Sequence, residues 1–147
     1  MDRLINIDYI LDKSKAKVIN PQVLAFIGDS VYALYMKTYV VKNFTDKANN
    51  LNTLSNNLVK ATKQSDLVEA LINDFTEEEL SVYKRARNYK TANTAKNASV
   101  MAYHRATGLE AVIGYLYLKN DISCVMGTDG YGLYGTDSID EQIALEN

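Results

Sequence analysis

The chain has 147 residues, of which 47% are hydrophobic and 23% charged, and a net charge of −2; this is the composition of one soluble globular domain, not of a disordered tail or of two separate cores. One proline and seven glycines exclude a collagen-like or turn-dense β chain and favour long helices. A single cysteine, Cys124, and a single histidine, His104, exclude an intrachain disulfide, a cysteine-based zinc site and any His-pair metal motif.

The start, Met1-Asp2-Arg3-Leu4, lacks the basic and apolar regions of a secretory signal, and the longest strongly apolar run, 111–118, is too short for a membrane span. A cytoplasmic chain with no membrane partner is expected. Residues 4–11 are apolar but ambiguous, and the Lys-rich stretch 13–17 closes them. Asn20-Pro21 is a helix start, with Asn as N-cap and proline at the first helical position. From there Val23, Leu24, Ile27, Val31, Leu34 and Tyr35 recur at helical spacing, so a helix runs to about Val41. Leu51, Leu54, Leu58, Ala61, Leu67, Ala70 and Leu71 form a second run, one helix or two, with Gln64-Ser65-Asp66 as a possible fresh cap.

Thr76-Glu77-Glu78-Glu79 is a capping box and opens a helix over 77–88. Its acids suit the positive end of the helix dipole, and Lys84, Arg85 and Arg87 suit the negative end. Residues 88–97 have no periodicity and read as a basic loop, and a strong helix follows over 98–119. The remainder is Gly-rich and acidic, with a possible short helix over 138–145. The expectation is an all-α domain over 1–123, followed by a tail over 124–147.

Asp29 and Glu110 stand in otherwise apolar helices, and each has small residues among its helical neighbours: Ala25 and Ala33 for the first, Ala106 and Gly114 for the second. Both are expected to be buried, and a buried carboxylate costs several kcal/mol unless something positive meets it. Small neighbours let another backbone or a ligand come close. Two converging carboxylates suit a hard divalent cation such as Mg²⁺; each could instead pair with an Arg or Lys.

Between Glu79 and Glu110 there is no acid, while Lys84, Arg85, Arg87, Lys90, Lys96 and Arg105 fall inside. Such a run is either a solvated face or a phosphate-binding surface, and Asn88, Thr91, Asn93, Thr94 and Asn97 add groups suited to sugar or base contacts. The absence of mixed signs favours polyanion binding. Most of the eleven tyrosines are expected in the core or an interface, His104 on the surface or in a groove, and Cys124 inert.

Four pieces in this order, Phe26-Ile27-Gly28-Asp29-Ser30-Val31, Thr76-Glu77-Glu78-Glu79, Lys84-Arg85-Ala86-Arg87-Asn88 and Thr107-Gly108-Leu109-Glu110-Ala111-Val112-Ile113-Gly114-Tyr115, resemble the ribonuclease III catalytic domain in its short form, the mini-ribonuclease III branch. The resemblance covers 20–119. It implies an all-helical homodimer that cuts double-stranded RNA with Mg²⁺, for which Mn²⁺ can substitute, and leaves 5′-phosphate and 3′-hydroxyl ends. It implies that Asp29 and Glu110 are the catalytic, metal-binding acids, and that Lys84, Arg85, Arg87, Asn88, Lys90 and Lys96 contact RNA. It places the Asp29 helix near the dimer interface and ribosomal RNA precursors as the substrate. Larger members carry further acids at the positions of Ala25 and Thr107. The competing readings are a non-catalytic helical RNA-binding dimer serving ribosome assembly, and a plain helical interaction protein.

Overall fold

A computed structural model of the chain describes residues 18–44, 47–58, 60–89 and 98–119. Among them are five α-helices and no strand: α1 (Pro21–Asn43), α2 (Ala48–Leu58), α3 (Ala61–Leu71), α4 (Glu77–Arg87) and α5 (Ala98–Leu118), with a 3₁₀ turn over Ile72–Asp74. None of these helices is long and apolar enough to cross a membrane. Residues 4–11, the expected loop beyond Tyr89 with Lys90 and Lys96, the tail with its expected terminal helix, and Cys124 lie outside the described residues, as does the boundary at 123/124.

Local chemistry sets the helix starts as expected. The Asn20 Oδ1 accepts from the Gln22 amide at 2.8 Å, and Pro21 occupies the first turn. At α4 the box is closed in both directions: the Glu79 amide donates to Thr76 Oγ1 at 3.2 Å, and the Thr76 amide donates to Glu79 Oε2 at 3.4 Å. The run over 51–71 divides into two helices, but not where a cap at Gln64-Ser65-Asp66 would divide it. One helix ends at Leu58 and the next begins at Ala61, and Gln64 and Ser65 are buried inside α3. Both side chains are turned toward α5 rather than back onto their own helix.

Helix α5 is the centre of the bundle, with α1, α3 and α4 packed on it and α2 packed on α1. Its residues 111–117 are all buried. They meet Leu24, Tyr32 and Tyr35 of α1, Leu67, Val68 and Leu71 of α3, and Val82 and Tyr83 of α4 in one hydrophobic cluster. Each fully buried Leu, Val or Ile contributes about 1.5–3 kcal/mol. The Tyr115 hydroxyl donates to Glu78 Oε2 at 2.7 Å and so ties α5 to the start of α4.

The α1–α5 crossing is backbone on backbone. A side-chain carbon on Gly28 would collide with the Glu110 carbonyl, and one on Gly114 with the Leu24 carbonyl. Glycine at both positions is a matter of space, and the small residues beside the acids permit the close approach expected of them.

The other face of α1 is uncovered. Val23, Phe26, Leu34 and Val41 recur along it and are exposed, Phe26 by 79%. Asp29 is exposed as well, which corrects the expectation of a buried carboxylate. An apolar helix reads as buried on all sides, whereas α5 covers only one side of α1.

Candidate active site

The glycine crossing brings Asp29 of α1 and Glu110 of α5 to one cleft of about 380 Å³, lined also by Gln22, Ala25, Phe26, Ala61, Tyr103, Ala106 and Thr107. The two acids act on each other across it. Burial pushes the half-buried Glu110 carboxyl from its ordinary 4.5 up to about 7, and the Asp29 charge pushes the same way. A hydrogen bond from Gln64 of α3 pulls it back down. The buried Tyr32 hydroxyl is raised, first by burial and then by the Glu110 charge.

This arrangement fits a hard divalent cation. A carboxyl whose ionisation a neighbouring carboxylate disfavours is stabilised in its charged form by a positive ion placed between them. Mg²⁺ is commonly held by one or two carboxylates, with water and phosphate oxygens completing its shell. Among the described residues no third acid, histidine or cysteine joins them. Ala25 and Thr107, the positions where larger relatives of the resembled family carry acids, both line this cleft. The side chains of this chain therefore leave that part of the wall uncharged.

The basic residues lie elsewhere. Lys84 and Arg85 line a separate open hollow on α4 with Glu77, Leu80 and Ser81. Arg87 lies over the Tyr83 ring, 5.4 Å from its centroid, and its Nε donates to Asn88 Oδ1 at 3.1 Å. None of these four basic-tract residues lines the acidic cleft. Arg105 is engaged on α3, where its Nη1 donates to Glu69 Oε1 at 3.2 Å and to Ser65 Oγ at 3.4 Å. His104 is half-buried and meets the exposed Tyr103 ring edge-on, 5.8 Å between centroids.

Two cleft features escape a reading by residue type. Phe26 and Tyr103 form an exposed aromatic rim, and Gln64, outside the lining, hydrogen-bonds to Glu110. The signal for Gln64 is its spacing, since it falls on the same stripe of α3 as the buried Leu67, Val68 and Leu71.

The family model of the Ribonuclease III domain matches residues 22–121, a span that holds both acids and all of the five helices but the first residue of α1. The chain belongs to the ribonuclease III family. Mini-ribonuclease 3 of Clostridium tetani is 46% identical over 110 residues, covering 74% of this chain and 73% of that protein. Mini-ribonuclease 3 of Staphylococcus aureus is 41% identical, with 70% and 78% covered. A crystal structure of a Fusobacterium nucleatum protein is 31% identical and superposes with a TM-score of 0.66 over 88% of this chain and 96% of that one. The expected ribonuclease III helical fold is thereby met. In this family setting the acidic cleft and the basic α4 face are two separate surfaces of one bundle.

Proposed function

We propose that the chain is a metal-dependent endoribonuclease that cuts double-stranded RNA, with Asp29 and Glu110 as its catalytic acids. The observation that carries this reading is the cleft itself, where carboxylates from two different helices line one space and burial, with the Asp29 charge, raises the cost of ionising Glu110. Membership of the ribonuclease III family and the likeness to proteins named Mini-ribonuclease 3 support the choice of substrate.

Asp29 and Glu110 would hold Mg²⁺, or Mn²⁺ in its place, which when bound would supply positive charge at the scissile phosphate for in-line attack by water. The protein's part is to fix the two carboxylates, to present Ala25 and Thr107 as a neutral wall, and to exclude bulk water with Phe26 and Tyr103. Cleavage leaves 5′-phosphate and 3′-hydroxyl ends. Lys84, Arg85, Arg87 and Asn88, continued by Lys90 and Lys96, contact the phosphates of the duplex, and A-form shape with its 2′-hydroxyls selects RNA over DNA.

The exposed stripe of Val23, Phe26, Leu34 and Val41 supports a homodimer formed through α1, since an apolar row of this length is more stable covered. Two such sites cut both strands. Ribosomal RNA precursors in the cytoplasm are the proposed natural substrate, and residues 1–123 the catalytic unit.

The test uses the purified chain with a long RNA duplex, in Mg²⁺ and then in chelator. Cleavage in Mg²⁺ alone, absent in Asp29→Asn and Glu110→Gln while both variants still retain RNA, is the expected result. An intact duplex under both conditions, with salt-sensitive RNA retention, would favour a non-catalytic RNA-binding dimer.

A further inference from the structure

Among the described residues, Gln64 is the one amide in the set of largest fully buried side chains, 1% exposed. A primary amide in a hydrophobic core costs free energy unless its polar ends are used. Helical spacing carries it there, on the stripe shared with Leu67, Val68 and Leu71. One bond it makes runs to the carboxyl of Glu110 on α5. An ionised carboxylate can only accept, so the amide nitrogen is the donor.

The neighbouring residue fixes the depth at which this happens. Ser65 and Glu69 both accept from Arg105 Nη1, at 3.4 and 3.2 Å. Helix α3 is thus fastened to α5 by polar contacts from Gln64, Ser65 and Glu69. Gln64 itself does not line the cleft; whatever it does to a ligand there, it does through Glu110.

We propose that Gln64 is a positioning residue, which from α3 holds the Glu110 carboxylate in the orientation that faces Asp29 across the cleft. The inference rests on the nuclease reading of that cleft. An unsupported Glu110 would rotate about its side-chain bonds, and the ion that both acids share would lose one well-placed ligand. Supporting hydrogen bonds of this kind orient metal-binding carboxylates and tune their affinity.

The test is Gln64→Met in the full chain. Methionine keeps the length and fills the same space without a donor, so the fold persists. With a labelled RNA duplex, kcat falls about tenfold or more, the size expected for a lost hydrogen bond to a charged group, while KM stays within about twofold. Mn²⁺ binding followed by electron paramagnetic resonance, without RNA, weakens in parallel, and the melting temperature does not drop. Wild-type kcat and Mn²⁺ affinity in the variant overturn the proposal. So does a variant that melts early and loses kcat and KM together, which marks a purely structural amide.

A wild-type protein that neither cuts nor binds Mn²⁺ overturns the nuclease reading first, and this inference with it. Should Gln64→Met fail to fold, the Gln64 side-chain amide signals of the wild-type chain decide the matter. They move in Glu110→Gln if the bond exists, and unmoved signals overturn the proposal.

Discussion

A methyl group on Gly28 would land on the Glu110 carbonyl, 2.6 Å from its carbon and 2.9 Å from the Gly114 amide nitrogen. Ordinary contact begins at 3.4 Å, and the carbonyl oxygen lies nearer still than that carbon, so α1 must draw back from α5 by more than about 0.8 Å. All the atoms met are backbone, and no rotamer change relieves the overlap. Overpacking of this kind costs about 3 kcal/mol at its upper end, and alanine in a helix returns about 1 kcal/mol over glycine, which leaves a net loss of about 2 kcal/mol. For a chain of this size that lowers Tm by roughly 4–8 °C. The functional loss is larger, because the separation opens beside Asp29 and at Glu110 itself. A misplacement near 1 Å costs about 10²-fold in rate. Thermal melts and single-turnover cleavage of a labelled duplex in Mg²⁺ measure both effects. Wild-type melting and wild-type cleavage in Gly28→Ala would refute the claim that the glycine crossing sets the distance between the acids.

The raised Glu110 carboxyl makes stability depend on pH. Between its ordinary 4.5 and its folded value of about 7, the folded chain holds a proton that the unfolded chain has released. Stability therefore falls as pH rises through that window. In chelator, the Tm of Glu110→Gln should exceed that of wild type by a margin that grows from pH 4.5 to pH 7; parallel curves would contradict the burial and repulsion assigned to this group. Duplex affinity should fall by roughly 10³ or more between 50 and 200 mM salt, if six or more phosphates are contacted. Filter binding of Glu110→Gln across that range checks it, and a flat response would remove the basic face of α4 from the RNA. Phe26→Asp places a charge on the uncovered stripe of α1 and should yield monomers by light scattering; an unchanged mass would assign that stripe another role.

The parts of the fold that sequence reasoning reaches are those decided within one or two helical turns. Asn20-Pro21 and Thr76 with Glu79 satisfy their own helix starts, so no other part of the chain is needed to interpret them. The break between α2 and α3 was out of reach because it depends on tertiary partners. Gln64 and Ser65 look like cap residues until Glu110 and Arg105 are placed opposite them. Asp29 shows the same limit from the other side. Apolar neighbours around a helix record how much surface wants cover, not how much of it this one chain supplies. The pairing of Asp29 with Glu110 was legible only in part: small residues beside each acid allow a close approach, but an Arg or Lys partner fitted the same pattern until α1 and α5 were placed on one cleft. The separation of the basic α4 face from the cleft was not, since both are rich in polar residues and only the bundle assigns them to different sides.

The central claim is that Asp29 and Glu110 share one cation. Crystals of the full chain soaked in Mn²⁺ test it by anomalous diffraction. The account predicts one strong peak in the cleft, bonded to each carboxylate directly at roughly 2.1 Å or through a single water. A peak on one carboxylate alone, or none at all in a protein that cuts duplex RNA, would contradict it.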